Sequence, residues 1–327
     1  IFVHPALSVI AFTVLSGAGL GVLALVALAE LGAAYAGWPA IASRPMLALA
    51  AGVGLALVIA GLFSSTLHLA NPRNAWRSAS RFRTSWLSRE AVFALMLMPV
   101  ATAFVAALAL DVVPGRMWGW AAATLLLAWA VLGCTAMIYA SLKPIRQWHT
   151  ARVPLAYLVL GHASGAVIVE ALVRPASGVT WVASAGVALL VASWLVKEEY
   201  WRFAHGGEGA LSIDDALGVA RGVGPPGPRR PGSIMAARLL DTGHSRGTFL
   251  TREFVGPDPG VRRTWVRATF LVASVVVPGI WLVAGLGDPA AGVLVAVSCL
   301  AGLLAERWLF FAEAKHTVRL YHGERST

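Results

Sequence analysis

His68 is the residue of this chain best placed for proton chemistry. An imidazole titrates near roughly pH 6.5, so it donates or accepts a proton close to neutrality. Around it, Ser64, Ser65 and Thr66 offer hydroxyls, Arg77 and Arg81 offer guanidinium forks, and Trp76 and Trp86 offer aromatic faces. A guanidinium can hydrogen-bond an oxygen and stabilise developing negative charge on it. His4, at the start of the chain, falls on the same side in the arrangement of spans argued below. Each residue also has a plainer reading. A histidine at a helix end bonds a carbonyl, surface arginines pair with acids or lipid phosphate, and tryptophan is at home at a membrane interface.

Further ionisable residues fall inside apolar runs, where charge is expensive and function is the default suspicion. His162 lies about eight residues into its run, roughly 12 Å deep at 1.5 Å per residue; a polar contact between packed helices is its plain reading. Glu306 and Arg307 can pair with each other or with neighbours. Glu30 and Glu170 fall near run ends and read as solvated. Glu90 opens a run beside Arg89, as a proton relay or as a charge favoured by the helix dipole. A b-type haem needs two imidazoles at matching depth on facing helices; His162 has no deep counterpart, so no haem is expected. Cys134 and Cys299 are the only cysteines, too few for an iron–sulfur cluster held by this chain alone.

The elements that must position these residues are set by hydropathy. Of 327 residues, 58% are hydrophobic and only 13% charged, against about 25% charged in soluble domains. Mean hydropathy is +0.72. A bilayer span needs about 20 mainly apolar residues. Eight such runs are present: Pro5–Tyr35, Met46–Leu67, Glu90–Leu110, Trp118–Leu142, Pro154–Val173, Thr180–Trp201, Trp265–Leu286 and Ala290–Ala314. The first lacks a basic leading segment and is too long for a signal peptide. The expected fold is an all-α, eight-helix membrane bundle, one integral domain over residues 1–327. Residues 202–263 form one long Gly/Pro-rich loop, within which Leu211–Ala220 suits a short amphipathic helix. Ser16-Gly17-Ala18-Gly19-Leu20-Gly21 has dinucleotide-loop spacing but no preceding strand, so close helix packing is the better reading. Gly161-His162-Ala163-Ser164-Gly165 repeats that small-residue pattern.

Charge supplies orientation. The chain carries 26 Lys+Arg against 16 Asp+Glu, a net +10. Twenty-two of the basic residues fall on one side of the span order; Arg44, Arg116 and Arg174 fall on the other, and Arg307 lies within a span. Short loops report topology best, and they agree, placing both termini and the long loop in the cytoplasm of a bacterial-type inner membrane. The connection after the second span interleaves Arg73, Arg77, Arg81, Arg83 and Arg89 with aromatics and hydroxyls. A bilayer surface is a poor place for a nucleic-acid duplex. A docking collar for a cytoplasmic protein fits better, and lipid headgroups are the bland alternative.

Four stretches together resemble the DmsC family, the membrane anchor subunits of dimethyl sulfoxide reductase and of cytoplasm-facing sulfite dehydrogenases. They are His4-Pro5-Ala6-Leu7-Ser8 with Leu15–Gly19; Ser65–Leu69 through Ser85–Glu90; Gly133–Pro144 with Trp148-His149; and Leu250–Glu253. The resemblance implies an eight-helix anchor that holds an iron–sulfur subunit and a molybdopterin subunit at the membrane. Those partners would carry the clusters and the molybdopterin. This chain would exchange electrons and protons with ubiquinone or menaquinone. His68 would then hydrogen-bond the quinone and move its proton, within a pocket of Ser64, Ser65, Thr66, Arg77, Arg81, Trp76, Trp86 and His4. Sulfite oxidation with quinone reduction is the expected direction, and quinol oxidation for dimethyl sulfoxide reduction is the alternative. A transporter with a similar span count is the competing class, although no repeat relates the halves. A third reading is an anchor that has no quinone site.

Overall fold

The computed structural model describes residues 7–67, 79–112, 114–177, 180–206, 210–217 and 261–322. Helices α1 (Leu7–Tyr35), α2 (Arg44–Thr66), α3 (Trp86–Ala109), α4 (Pro114–Ala140), α5 (Arg152–Ser177) and α6 (Trp181–His205) follow in order. A short α7 (Ile213–Leu217) comes next. Val261–Phe270, Leu271–Val276 and Val277–Ala284 then run on as one rod, α8, with a π-helical middle; α9 (Pro289–Ala312) is the last span. Among the described residues eight helices are long and apolar enough to cross a membrane, matching the eight apolar runs within a few residues at each end. Of the proposed 211–220 helix, residues 211–217 are described and Ile213–Leu217 are helical; most of the long loop lies outside the described residues.

Helix α1 is apolar on every side and is the most enclosed span; an all-round apolar helix belongs in the middle of a bundle. It packs against α2, α4, α5 and α9. Where all helix surfaces are equally greasy, close van der Waals contact is what holds helices together, and glycine permits it. A Cβ on Gly21 would lie 1.9 Å from the Gly161 carbonyl oxygen of α5, and one on Gly19 2.4 Å from the Gly54 carbonyl oxygen of α2. The glycine-rich stretch of α1 is therefore a packing seam.

Helix ends obey elementary capping rules. Ser85, Thr180 and Asp288 accept hydrogen bonds from the first amides of α3, α6 and α9. Gly285, at φ 68°, ends α8 in the left-handed region that favours glycine. Two arginines satisfy carbonyls that helix ends leave without partners. Arg146 donates to the carbonyls of Phe203, Ala204 and Gly206 at the end of α6. Arg174 donates at 3.0 and 3.1 Å to the carbonyls of Trp281 and Leu282 at the end of α8. Its Nε bonds Glu170 at 3.1 Å, and Thr180 donates to the other oxygen of Glu170. Glu170 and Arg174 are 0% and 2% exposed. The expectation of a solvated Glu170 is thus corrected: a carboxylate at this depth is kept because its charge and both oxygens are satisfied. Glu30 is also paired, with Arg44 at 3.8 Å, and Arg44 bonds Asp111 at 2.9 Å.

These contacts sort the helix ends. The starts of α1, α3, α5 and α8 share one end of the bundle with the ends of α2, α4, α6 and α9; the Glu30 and Glu170 clusters mark the opposite end. At the first end the α4–α5 connection meets the chain after α9. Trp148 donates to the Phe310 carbonyl and stacks on the Phe310 ring at 5.5 Å, and Thr317 N donates to the Pro144 carbonyl. Tyr139 meets Trp148, Phe310 and Phe311 edge-on.

Candidate functional site

The rim of the candidate site is the end of α2 and the start of α3. His4, His68, Trp76 and Arg77 lie outside the described residues. The three hydroxyls at the end of α2 all donate to main-chain carbonyls: Ser64 to Ser8 of α1 at 2.9 Å, Ser65 to Leu62 at 2.7 Å, and Thr66 to Phe63 at 2.7 Å. Their oxygens keep lone pairs for accepting, and Ser64 ties the start of α1 to this rim. Arg81 is exposed, and its amide donates to Ser88 Oγ. Arg89 donates to the carbonyls of Phe82 and Arg83 and lies 4.2 Å over the Trp86 ring. This folds residues 81–85 back against the first turn of α3 and holds Trp86 half-buried there.

One turn further into α3, on the same face as Trp86, sits Glu90. It is 5% exposed, and Thr135 of α4 donates to its Oε1. Thr135 Oγ also lies 3.0 Å from the Val131 carbonyl. No cation pairs with Glu90 among the described contacts. Its carboxyl is a buried acid beside a single hydroxyl, directly beneath a rim of arginine and tryptophan.

From Glu90 a layer of polar groups crosses the bundle at the same end. Tyr139 is one turn on from Thr135 along α4, and its ring stacks on Tyr157 of α5 at 5.8 Å. Both tyrosines are within electrostatic reach of Glu90. The Arg307 guanidinium lies 3.8 Å over the Tyr157 ring. Glu306 Oε2 is 3.4 Å from Arg307 Nε, and Glu306 Oε1 is 2.5 Å from Lys197 Nζ of α6. Lys197 is 1% exposed, with Nζ 4.1 Å from the centre of the Tyr200 ring. The layer reaches the aqueous end at the exposed His205, whose Nε2 bonds buried Glu313 at 2.9 Å; Arg263 Nε lies 2.7 Å from the same carboxylate.

The expected pairing of Glu306 with Arg307 is present, but it is part of this larger cluster. Lys197 and Arg146 do not belong to a surface collar: Lys197 is buried against Glu306, and Arg146 against carbonyls. Burial pulls the pKa of Arg146 down from the ordinary arginine value. Arg152 bonds Glu199 at 2.7 Å, and Arg202 lies 3.5 Å from Glu198. Charge counting overstated the collar, because a basic residue's partner can be a helix far away in sequence. Arg81 and Arg83 remain exposed on the rim.

His162 makes the helix–helix contact expected of it. Trp129 Nε1 of α4 donates to His162 Nε2 at 3.0 Å, and Nδ1 faces the Leu158 carbonyl at 2.8 Å. An indole N–H only donates, so Nε2 accepts and the proton is on Nδ1. Thr135, Tyr139, Tyr157, Tyr200 and Lys197 were not singled out as a group from sequence. The available signal was weak: a lysine late in an apolar run facing a Glu-Arg pair late in another.

The described residues thus form an eight-span helical bundle with a buried acid beneath a basic and aromatic rim. The chain belongs to the DMSO reductase anchor subunit (DmsC) family, whose model matches residues 3–212. It is also similar to a sulfite dehydrogenase subunit of Allochromatium vinosum, with 32% identity over 336 aligned positions that cover 98% of each chain.

Proposed function

We propose that this chain is the quinone-reactive membrane anchor of a three-subunit molybdopterin oxidoreductase. It would pass electrons from an iron–sulfur subunit to the quinone pool, with sulfite oxidised by the molybdopterin subunit. The full-length similarity to a subunit of a sulfite dehydrogenase supports sulfite as the donor. On this reading the rim and the long loop face the cytoplasm, as the short-loop charge bias favours, and the chain binds no haem.

The observation that carries the quinone half of the proposal is Glu90. A quinone ring accepts two electrons and two protons, so its site needs apolar walls, donors to its oxygens and an acid within reach. The residues fit that demand. Trp86, half-buried, and Phe82, exposed, supply walls, the Arg81 guanidinium supplies a donor, and Glu90 supplies the acid. Two cavities among the described residues, of about 20 and 10 Å³, are water-sized and too small for a quinone ring. His68, Arg77, Trp76 and His4 complete the pocket in this proposal. His68 hydrogen-bonds a ring oxygen and exchanges its proton, Arg77 and Arg81 steady negative charge on oxygen, and Ser64, Ser65 and Thr66 orient polar groups at the mouth.

The assembly is tested by affinity purification of the tagged chain from its native membrane under mild detergent. Stoichiometric recovery of one protein with iron–sulfur absorption and one large molybdenum-containing protein is expected. Recovery of the chain alone, with none of its molybdenum or iron in the same fraction, would refute the anchor role.

A further inference from the structure

The buried polar layer contains a hydroxyl that packing alone does not account for. Tyr157 and Tyr200 are 2% and 1% exposed; the Tyr157 hydroxyl meets that of Tyr139, and the Tyr200 hydroxyl has no hydrogen-bond partner among the described residues. Neither carboxylate oxygen of Glu306 makes a well-directed hydrogen bond, although both lie close to cations. Leaving a buried polar atom without a partner costs about 1–3 kcal/mol, so packing alone gives no reason for tyrosine over phenylalanine at 200. Beside Tyr157 and Arg307, a cavity of about 20 Å³ is also lined by Thr13, Ser164, Gly17 and Gly161. That volume holds one water, and within a mainly apolar lining Thr13, Ser164, Tyr157 and Arg307 are the polar side chains beside it.

These groups form a sequence with two ends. At one end the exposed His205 bonds buried Glu313, and Tyr200 is within electrostatic reach of Glu313 and Glu306. In the middle, Lys197, Glu306, Arg307, Tyr157 and the water-sized cavity follow. At the other end Tyr157 stacks on Tyr139, one turn from Thr135 and its bonded partner Glu90. The Gly17 and Gly161 seam that lets α1 approach α5 also borders the cavity, so the packing that closes the bundle creates this room.

We propose that the Tyr200–Lys197–Glu306–Arg307–Tyr157–Tyr139 layer is the proton route from the loop-bearing face of the bundle to Glu90. The proposal rests on the quinone reading above and deepens it by naming the side and path of proton uptake. For each quinone reduced, two electrons come from the iron–sulfur partner and two protons come from bulk water at that face. Along the route only O–H and N–H bonds are broken and remade, and each group returns to its starting state. Tyr157 and Tyr200 are relay residues; Lys197 and Arg307 position Glu306 between two positive charges.

Tyrosine-to-phenylalanine substitutions separate this from a structural role. Tyr157→Phe and Tyr200→Phe keep the ring contacts; Tyr200→Phe removes a hydroxyl without a partner among the described residues, so stability should hold or rise, and Tyr157→Phe removes only a contact with the Tyr139 hydroxyl. The intact three-subunit complex is assayed with sulfite and a soluble short-chain quinone, in H2O and D2O, and in parallel with an artificial dye that takes electrons directly from the partner subunits. The route predicts a loss of about 10-fold or more in quinone-linked turnover, a larger solvent isotope effect than wild type, and unchanged dye-linked turnover. Thr124→Val, which removes another buried hydroxyl lacking a partner but lying outside the layer, should behave as wild type. Wild-type turnover and isotope effect in both phenylalanine variants overturn the route, as does an equal loss in Thr124→Val. If Glu90→Gln is impaired in that same experiment, the quinone reading survives the failure. If the wild-type complex reduces no quinone, both proposals fall together.

Discussion

Glu90→Gln should lower quinone-linked turnover by about 10²- to 10³-fold while leaving dye-linked turnover of the same complex at the wild-type level. The substitution is nearly isosteric, and a glutamine carbonyl can still accept from Thr135, which donates to Glu90 Oε1. What is lost is a group that can gain and release a proton. Positioned acid–base catalysis contributes about 10² to 10⁴ in rate, and that sets the expected size. A purely structural Glu90 predicts the opposite, because an amide is cheaper to bury than a carboxyl that no cation offsets. Turnover with a soluble quinone, compared with turnover with a dye, separates the two accounts. Full quinone-linked activity in Glu90→Gln would remove Glu90 from the mechanism.

Arg174→Ala should destabilise the bundle by about 3–5 kcal/mol, the usual result of removing one partner of a buried ion pair. Three defects arise together. Glu170 is left buried with only Thr180 as partner, the Trp281 and Leu282 carbonyls lose their donors, and the stacking of the guanidinium 4.4 Å over Trp281 disappears. These contacts join the ends of α5 and α8 to the start of α6, on the face opposite the rim. A second variant isolates the cause. Arg174→Met with Glu170→Gln removes both charges and keeps most of the volume, so it should recover more than half of the lost stability. The thermal midpoint of the detergent-solubilised protein reads both effects. A single variant as stable as wild type would show that this cluster does not bind the helix ends together.

Much of the fold is legible in the chain. An apolar run of about 20 residues can bury its backbone polar groups in a bilayer only as a helix, so the eight runs become eight spans almost unchanged. The glycine-rich stretch of α1 is legible for a related reason, since small residues are what allow spans to approach. The π-helical segment of α8 was not legible. It arises where Ser274 donates to the Cys299 carbonyl at 2.7 Å and where a Cβ on Gly302 would fall 2.2 Å from Ser274 Oγ, a fit between two helices that periodicity in either one does not record.

The site divides along the same line. His68, the rim hydroxyls and the arginines announce their chemistry by residue type and by position at a span end. The interior layer does not. Thr135, Tyr139 and Tyr157 look like ordinary members of apolar runs, and Lys197 looks like a basic residue snorkelling to the interface. Only when α4, α5, α6 and α9 pack does Lys197 meet Glu306, 109 positions away in sequence, and only then does Tyr139 stack on Tyr157. The same packing removes Lys197 and Arg146 from the basic collar that charge counting suggests. It leaves the exposed Arg81 and Arg83 as the described rim charges available to a partner.

The central claim is that quinone exchanges electrons and protons at the rim beneath which Glu90 sits, with His68 as the residue that bonds the ring oxygen. It is tested most directly by His68→Ala in the purified three-subunit complex, with sulfite as donor and turnover followed in parallel with a soluble quinone and with an artificial dye. The account predicts that quinone-linked turnover is abolished and dye-linked turnover is unchanged. Quinone-linked turnover equal to that of the wild type would contradict it.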